Sequence, residues 1–353
     1  MLKYSTSTVM KFSTKFSLVA VAIAILVYLC EQWYGLVTRA VWFSHAVKTL
    51  AKLDSSDFHA FVDSYDVFDN PKHTDEDEVK VNAVYKVLVP LMELGQLTKF
   101  YIPPLMDPER GSFPDLGWNQ ELFERKMADT MQLEPGKVAL DIGCGQGLVA
   151  DMVQEQSGAK VVGINISPEQ IAKAKANAAA SGKLGNVLEF DIGSMNDKLA
   201  FDDESFDAVY VVQSTCYAHD FGATMAEVAR VLKPGGIFSD LAVTTLDNYD
   251  ADNETHVRMA GEAKRVGVIP IWRSAEYYLD GEWRYKSNFA ICLASSSSSL
   301  LLWLWWLLLL MLLFARGNCV AHAIGFVSPI VILVAFTSTF SRHSLLYLCV
   351  AFP

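Results

Sequence analysis

An aspartate followed by three alternate glycines is the feature of this sequence best suited to holding a small ligand. Asp141, Gly143, Gly145 and Gly147 lie in the stretch ALDIGCGQGLV at 139–149, which begins as an apolar run. A dinucleotide-binding turn would read G-x-G-x-x-G, with an acid about 20 residues further on. Here the last spacing is shorter and the acid precedes the first glycine. A carboxylate at this place would repel a pyrophosphate and attract a cationic aminoacyl group.

S-adenosylmethionine meets these requirements, because it carries an ammonium and a sulfonium group and has no phosphate. A second turn, KPGG at 233–236, stands before an apolar run at 236–245. The motif D-x-G-x-G-x-G together with this turn resembles the class I S-adenosylmethionine-dependent methyltransferases. The resemblance implies that S-adenosyl-L-methionine is the cofactor and that Asp141, Gly143, Cys144 and Gly145 bind it.

The sequence around the motif alternates short apolar runs with amphipathic segments. Five strands are predicted at 137–143, 158–165, 186–193, 206–214 and 236–245. Phe123, Met127 and Met131 recur at helical spacing and predict a helix over 119–133. Ser167 is the expected N-cap of another helix, with Gln170 completing a capping box. This alternation predicts an α/β fold with a doubly wound, Rossmann-like methyltransferase sheet.

Further cofactor-binding residues are expected at the carboxyl ends of the strands, where ligands of such sheets bind. Asn165 ends the second strand, and its amide can hydrogen-bond a hydroxyl group. Asp191 and Ile192 end the third strand and resemble the family's adenine pair, in which a carboxylate accepts from the exocyclic amine and an apolar side chain touches the ring. Gln213 ends the fourth strand, near the methyl group to be transferred.

Other stretches resemble the sterol 24-C-methyltransferases. YVVQSTCYAHD at 210–220 is similar to their Y-S-I-E-A-T-C-H-A-P, and the segments at 243–257 and 267–272 have counterparts after the fifth strand. Residues 85–104 align with their Y-x-L-V-T-x-x-Y-E-W-G-W-G-Q-S-F-H-F-x-P, with matches at Tyr85, Glu93, Gly95, Phe100 and Pro104. The resemblance covers about residues 85–280. It implies C-methylation of a side-chain alkene (Δ24) in a sterol or a related isoprenoid lipid.

In that family the alkene attacks the sulfonium methyl group, and proton loss quenches the resulting carbocation. The reaction needs aromatic faces for the cation and a base for the proton. The resemblance implies that Glu93 is catalytic and that the substrate meets Tyr85, Phe100, Tyr101 and Thr215. The family's glutamate and histidine are Gln213 and Tyr217 here. Gln213 cannot act as a base, so Tyr217 and His219 are the candidates.

Charge and cysteine usage exclude other classes of protein. The formal net charge is −11, which argues against a nucleic-acid partner. The acidic run at 75–78 is interpreted as a solvated loop. Six cysteines without a CxxC pair indicate a reducing compartment, and no metal site is expected.

Both ends of the chain are apolar. The uncharged run at 16–30, preceded by lysines, predicts an N-terminal membrane anchor, with a cleaved signal peptide as the alternative. A serine run at 295–299 precedes apolar runs at 300–314 and 326–336. These runs are either transmembrane helices or translated low-complexity sequence that is no genuine part of the protein. No hairpin of alternating polarity follows the fifth strand. A sheet that lacks its last two strands is therefore one of the alternatives that the sequence leaves undecided.

These patterns divide the chain into four parts. Residues 1–37 are the expected membrane anchor, and 38–118 a helical region that contributes to the substrate site. Residues 119–286 are the expected S-adenosylmethionine-binding domain, and 287–353 the apolar tail. We expect a membrane-associated protein of the endoplasmic reticulum. Two alternatives stay open: a methyltransferase for a quinone, tocopherol or phospholipid head group, and a catalytically inactive membrane protein that keeps the fold.

Overall fold

The computed structural model of the chain describes residues 44, 47–94, 97–104, 106, 116–245, 249–274, 277–278, 288–296 and 343–351. Five parallel strands in the order β3-β2-β1-β4-β5 form the centre of its sheet. Their bounds are β1 Val138–Ile142, β2 Lys160–Asn165, β3 Leu188–Ile192, β4 Phe206–Val212 and β5 Leu232–Thr245. The predicted doubly wound α/β sheet is confirmed. The KPGG segment lies within β5 as a bulge, because Leu232 pairs with Phe206 and the next pair joins Ile237 to Ala208.

Three further strands extend the sheet beyond β5. The short β6, Arg273–Ser274, pairs with β5 in parallel. The strand β8, His343–Ala351, pairs antiparallel with β5, and β7, Asn288–Ser296, pairs antiparallel with β8. The sheet therefore has two strands, β8 and β7, beyond β5, where the sequence did not decide whether further strands are present.

Helices cover both faces of the parallel strands. They are α3 Leu116–Thr130, α4 Leu148–Ser157, α5 Pro168–Ala180, α6 Phe221–Val231 and α7 Glu254–Gly267. Phe123, Met127 and Met131 are buried in one core with α4, α5 and the sheet, as their spacing predicts. The core on the opposite face contains α6 residues and strand residues such as Leu140 and Val209.

The start of α5 confirms the predicted N-cap but not the complete capping box. Ser167 Oγ accepts a hydrogen bond from the backbone N–H of Gln170 at 3.3 Å. The backbone N–H of Ser167 donates to Asn165 Oδ1 at 2.9 Å. Asn165 therefore takes the position that the Gln170 side chain would occupy in a capping box.

A helical region precedes α3. It contains α1 Ser55–Asp63, a 3-10 turn Ser64–Phe68 and the long helix α2 Asp75–Leu94, which pack around their own apolar cluster. The acidic run at 75–78 forms the first turn of α2, so its interpretation as a solvated loop is wrong. Carboxylates stabilise a helix N-terminus because they face its partial positive charge.

The predicted membrane segments are largely outside the described residues. This holds for the expected anchor at 1–37 and for the apolar runs at 300–314 and 326–336. Of the expected tail, 288–296 and 343–351 are strands. In the part of the chain that the structure describes, no helix has the length and apolar character needed to span a bilayer.

Candidate cofactor and substrate site

One cavity lies at the carboxyl ends of β1, β2 and β4. After β1 the chain continues to β2 on one side of the sheet's centre, and after β4 it continues to β5 on the other side. This is the position at which open α/β sheets bind ligands. Most of the residues predicted for the site line it: Asp141, Gly143, Cys144, Gly145, Asn165, Gln213, Tyr85, Phe100, Tyr101, Tyr217 and His219. The helix α2 and the segment 97–104 close the cavity from the side of the N-terminal region.

The glycine turn after β1 is tightly packed. Gly143 has φ +81°, and a Cβ atom there would lie 2.3 Å from Ser214 Oγ, so another residue could not occupy this position without displacing β4's end. The backbone N–H groups of Gly143 and Cys144 both donate to the Ile164 carbonyl, at 2.8 and 3.0 Å. A phosphate-binding loop would leave such groups free for the anion. Their use inside the protein agrees with a ligand that has no phosphate.

Asp141 is a buried carboxylate in the wall of this cavity. Only 1% of it is exposed, and its Oδ2 has no hydrogen-bond partner. Burial raises the pKa of Asp141 to about 7, with the neighbouring Tyr210 hydroxyl opposing the rise and the charge of Glu124 adding to it. An unpartnered buried carboxylate costs free energy that a cationic ligand would recover.

A lysine that the sequence did not point to is also part of the cavity lining. Lys99 lines the cavity, and its Nζ donates to Glu124 Oε2 at 2.5 Å. Tyr101 donates its hydroxyl hydrogen to Glu124 Oε1, so the buried Glu124 is bonded through both oxygens. Burial raises the pKa of Glu124, and Lys99 opposes that rise. The cavity lining thus carries both a carboxylate, Asp141, and an ammonium group, Lys99.

The end of β3 differs from the prediction. Asp191 and Ile192 do not line the main cavity but a neighbouring groove, and Ile192 is 58% exposed. Asp191 Oδ1 accepts from the Ile192 backbone N–H at 2.9 Å. The cavity wall is instead formed by Gly193, Ser194, Met195 and Asn196, which follow the strand. The role of Asp191 and Ile192 as the adenine pair stays a prediction, and their groove shares Gly193 and Ser194 with the cavity.

Gln213 lines the cavity but uses its amide within the protein. Its Oε1 accepts from the Ile102 backbone N–H at 3.0 Å, and its Nε2 donates to the Ile102 carbonyl at 2.7 Å. Its φ of +53° is unusual for a residue with a side chain, and these bonds hold it there. Gln213 therefore orders the segment 97–104 along the cavity, which sequence reasoning did not foresee.

Tyr217 and Tyr85 form a hydrogen-bonded pair at the aromatic side of the cavity. Their hydroxyl oxygens are 2.9 Å apart, and Tyr217 donates to the Val268 carbonyl at 2.5 Å. Burial raises the pKa of both hydroxyl groups. Phe100 packs edge-on against Tyr85, with ring centroids 6.1 Å apart. Tyr217 thus holds its proton on a carbonyl, which disfavours it as a base.

His219 lies at the edge of the cavity beside His73. The residue is part of the cavity lining, and the two ring centroids are 6.2 Å apart. The backbone N–H of His219 donates to Asn196 Oδ1 at 2.7 Å, and Asn196 Nδ2 donates to the Tyr217 carbonyl at 3.1 Å. These bonds join the segment after β4 to the segment after β3.

Two predicted residues have structural partners instead of a place in the cavity lining. Glu93 is buried and pairs with Lys173 on α5 at 2.9 Å, which ties the end of α2 to the sheet domain. Thr215 is buried below the cavity, and its Oγ1 donates to Asp240 Oδ1 at 3.3 Å. The family alignment located both in sequence, but neither lies among the lining residues.

Glu78 is a carboxylate in the cavity lining that sequence reasoning missed, as is its neighbour Asp77. Glu78 Oε1 accepts from Ser194 Oγ and, at 2.7 Å, from Asn196 Nδ2. The residue belongs to the acidic run at 75–78, which was interpreted as solvated. The periodicity of α2 contains the missing signal, since Glu78, Asn82 and Tyr85 share one face of a helix and all three line the cavity.

Comparisons with known proteins agree with this geometry. Residues 140–239 match the family described as "Methyltransferase domain". The 24-methylenesterol C-methyltransferase 2 of Oryza sativa subsp. japonica is 31% identical over 212 residues, which cover 58% of this chain and 56% of that protein. Squalene methyltransferase 1 of Botryococcus braunii is 35% identical over 161 residues, covering 45% of this chain and 42% of that protein.

The chain therefore spans about half the length of these curated relatives. Among solved structures, the cyclase SpnF superimposes with a TM-score of 0.58 at 20% identity, covering 78% of this chain and 96% of that one. A likeness at this identity concerns the fold. Together with the family match at 140–239, it indicates a methyltransferase-type fold, and the sequence resembles the class I S-adenosylmethionine-dependent methyltransferases, the sterol 24-C-methyltransferases among them.

Proposed function

We propose that this protein transfers a methyl group from S-adenosylmethionine to a carbon atom of a sterol or related isoprenoid lipid. The observation that carries the proposal is a single cavity with two unlike ends. One end holds the unpartnered carboxylate of Asp141, and the other holds the aromatic side chains Tyr85, Phe100 and Tyr217. The sterol and squalene methyltransferases among its relatives support the choice of acceptor.

The residues at the polar end fit the aminoacyl group of the cofactor. Asp141 would pair with its ammonium group and Lys99 with its carboxylate, so that a zwitterion meets opposite charges. In the glycine turn the N–H groups of Gly143, Cys144 and Gly147 are bonded within the protein, and the missing side chains provide space for the ligand. When bound, S-adenosylmethionine supplies an electrophilic methyl group on sulfur.

The residues at the other end fit an apolar acceptor. Val89, Met92, Leu97 and Ile271 extend the aromatic wall with aliphatic surface. An apolar wall binds a hydrocarbon by removing its surface from water. Aromatic faces stabilise a positive charge that develops on carbon. This combination suits an alkene better than a polar head group.

The proton released after methylation needs an acceptor. Tyr217 is a poor one, because its hydroxyl donates to Val268 and its pKa is raised by burial. We keep His219 as the proposed base, since the residue is part of the cavity lining and an imidazole can accept a proton near neutral pH. Tyr217 and Tyr85 then act by shaping the wall. A membrane-associated location, with the endoplasmic reticulum as the expected membrane, follows from the lipid acceptor and belongs to the same proposal.

The test is a transfer assay with the full chain and methyl-labelled S-adenosylmethionine. Parallel reactions contain a Δ24 sterol, squalene, a quinone, a tocopherol or a phospholipid, each in detergent. We expect label in carbon of one of the first two and none with Asp141→Ala. Label in a quinone, tocopherol or phospholipid would reject the acceptor class. Tight cofactor binding without transfer to any acceptor would instead favour the inactive scaffold.

A further inference from the structure

We propose that Tyr210 is a positioning residue for the cofactor, although it does not line the cavity. From behind the cavity wall its hydroxyl group donates to Oδ2 of Asp141, which favours the ionised carboxylate and leaves Oδ1 for the ammonium group of the ligand. The proposal rests on the S-adenosylmethionine of the proposed function, and it does not depend on the identity of the lipid acceptor.

Asp141 and Tyr210 are neighbours across two parallel strands. Asp141 on β1 pairs in register with Tyr210 on β4, and register partners point to the same face of a sheet. That face is the one that packs against α3 and α4, because Tyr210 belongs to the same core as Phe123. Asp141 lines the cavity, whereas Tyr210 is fully buried and lies outside its lining. The phenol therefore reaches Asp141 from the protein interior and not from the side of the ligand.

The hydroxyl group of Tyr210 is a buried donor that needs an acceptor. It has no hydrogen-bond partner among the described residues, and neither has Asp141 Oδ2. A buried polar group without a partner is destabilising, and a phenylalanine would fill the same space in this apolar core without that penalty. An ionised carboxylate accepts hydrogen bonds through both oxygens, so the two unpartnered neighbours complement each other.

The other acceptors near Tyr210 are weaker or already bonded. Glu124 on α3 accepts a hydrogen bond through each of its oxygens. The Cys144 thiol is a poor acceptor. Ser239, the register partner of Tyr210 on β5, has a third buried oxygen without a partner, but it carries no charge. Asp141 is therefore the acceptor that gains most from the phenol, because a hydrogen bond to an ionised group is the stronger one.

The titratable groups that face Asp141 come from three elements. They are Tyr210 on β4, Glu124 on α3, which pairs with Lys99, and Cys144 in the glycine turn. Burial raises the pKa of Asp141 to about 7, the Tyr210 hydroxyl lowers it, and the charge of Glu124 raises it. Burial also keeps the pKa of Tyr210 well above its ordinary value, so the phenol stays a donor. Without this donor, the pKa of Asp141 should rise to about 8.

Titration calorimetry with S-adenosylhomocysteine between pH 6 and pH 9 tests this role in the full chain. Tyr210→Phe should bind about tenfold more weakly than the wild type at pH 6 and within about twofold of it at pH 9, where Asp141 is ionised in both proteins. Comparing the proteins at each pH cancels the titration of the ligand's own amine. The control Tyr278→Phe deletes a similarly buried hydroxyl group beside Asp240 and should bind within about twofold of the wild type at every pH.

Thermal unfolding without ligand measures the same interaction independently of the cofactor. The folded pKa of Asp141 lies above its unfolded value of 3.8, so the folded state loses stability as pH rises until the pH passes the folded pKa. The stability difference between the wild type and Tyr210→Phe should therefore widen between pH 7 and about pH 8 and then stay constant. In an Asp141→Asn background, Tyr210→Phe should leave the pH dependence of binding and of unfolding unchanged.

Four outcomes separate this role from others. A loss of affinity that is equal at every pH would show that the hydroxyl group only supports packing and would overturn the proposal. An unchanged Tyr210→Phe, or a pH-dependent loss that persists in the Asp141→Asn background, would place the phenol on another acceptor and overturn it as well. A wild type that binds no S-adenosylhomocysteine would reject this role together with the proposed cofactor. A protein that shows the expected pH shift but methylates no isoprenoid would lose the proposed acceptor and keep this inference.

Discussion

Two aspartates lie on strands that flank β4, and both are buried with one oxygen unpartnered. Asp141 on β1 and Asp240 on β5 are each 1% exposed, and Oδ2 of each has no hydrogen bond. Burial raises the pKa of Asp141 to about 7 and that of Asp240 to about 8. By burial and pKa alone, the two are equivalent candidates for a functional group.

Their surroundings separate them. Asp141 lines the cavity, whereas Asp240 lies beneath the turn Thr215–Tyr217. Asp240 accepts from Thr215, while Arg273 donates to the carbonyls of Thr215 and Ala218 and lies over two aromatic rings. This cluster shapes the segment after β4 from below. A buried carboxylate with a raised pKa is therefore a candidate for binding a ligand when it lines a cavity, and a structural group when it does not.

The largest effect that would test this contrast is on cofactor affinity. Asp141→Asn should weaken binding of S-adenosylhomocysteine on the order of 100-fold, because a charge-assisted hydrogen bond contributes about 1.5–3 kcal/mol and the ammonium group would lose its counter-charge. Calorimetry on the full chain measures this loss. Asp240→Asn is the matched control and should bind within about twofold of the wild type, a difference of under about 0.5 kcal/mol. Equal losses in both variants would break the distinction.

The motif and the fold explain why one of these aspartates was predictable. Asp141 stands two residues before Gly143, and the turn after β1 requires this spacing of glycines. The local sequence was therefore enough to single Asp141 out as a candidate. Asp240 sits in an apolar strand and carries no local pattern. Its role depends on Thr215 and Arg273, which are distant in sequence and meet it only through the sheet.

Glu78 and Asp191 show the same limit within the site itself. The end of β3 was predicted to within a residue, but which side chain after it enters the cavity depends on how the loop turns. Glu78 was assigned to a solvated run because a pattern of charges does not show which other part of the protein packs against it. Only the packing of α2 across the sheet shows that this carboxylate faces Ser194 and Asn196.

A second prediction concerns the stability of the cofactor-free protein. The folded pKa of Asp141, about 7, is above its unfolded value of 3.8, so the folded state binds the proton more tightly and loses stability as pH rises between these values. Asp141→Asn removes this charge and should raise the free energy of unfolding at pH 8 by about 2 kcal/mol, the buried amide offsetting part of the gain.

Thermal unfolding with and without S-adenosylhomocysteine measures this effect. The advantage of Asp141→Asn should vanish only well below pH 3.8, where the wild-type carboxyl is protonated in both states. It should also shrink with ligand present, since the wild type alone gains binding energy. Asp240→Asn should gain stability by the same linkage, because the folded pKa of about 8 also lies above the unfolded value of 3.8, but its gain should not shrink with ligand present. A destabilised Asp141→Asn at pH 8 would mean that the carboxylate is already satisfied inside the protein.

The smallest expected effect is the pH dependence of binding, and it sharpens the comparison most directly. The cofactor's ammonium group needs Asp141 ionised, so a proton leaves Asp141 on binding whenever the pH is below about 7. Affinity for S-adenosylhomocysteine should therefore fall by up to about tenfold per pH unit below that value and level off above it. Glu124, Cys144 and Tyr210 face Asp141, and the raised pKa values of the Cys144 and Tyr210 groups keep both protonated across this range.

The slope should disappear in Asp141→Asn and persist in Asp240→Asn. A slope that survives in Asp141→Asn would place the titrating group elsewhere in the cavity, with Glu124 as the nearest carboxyl.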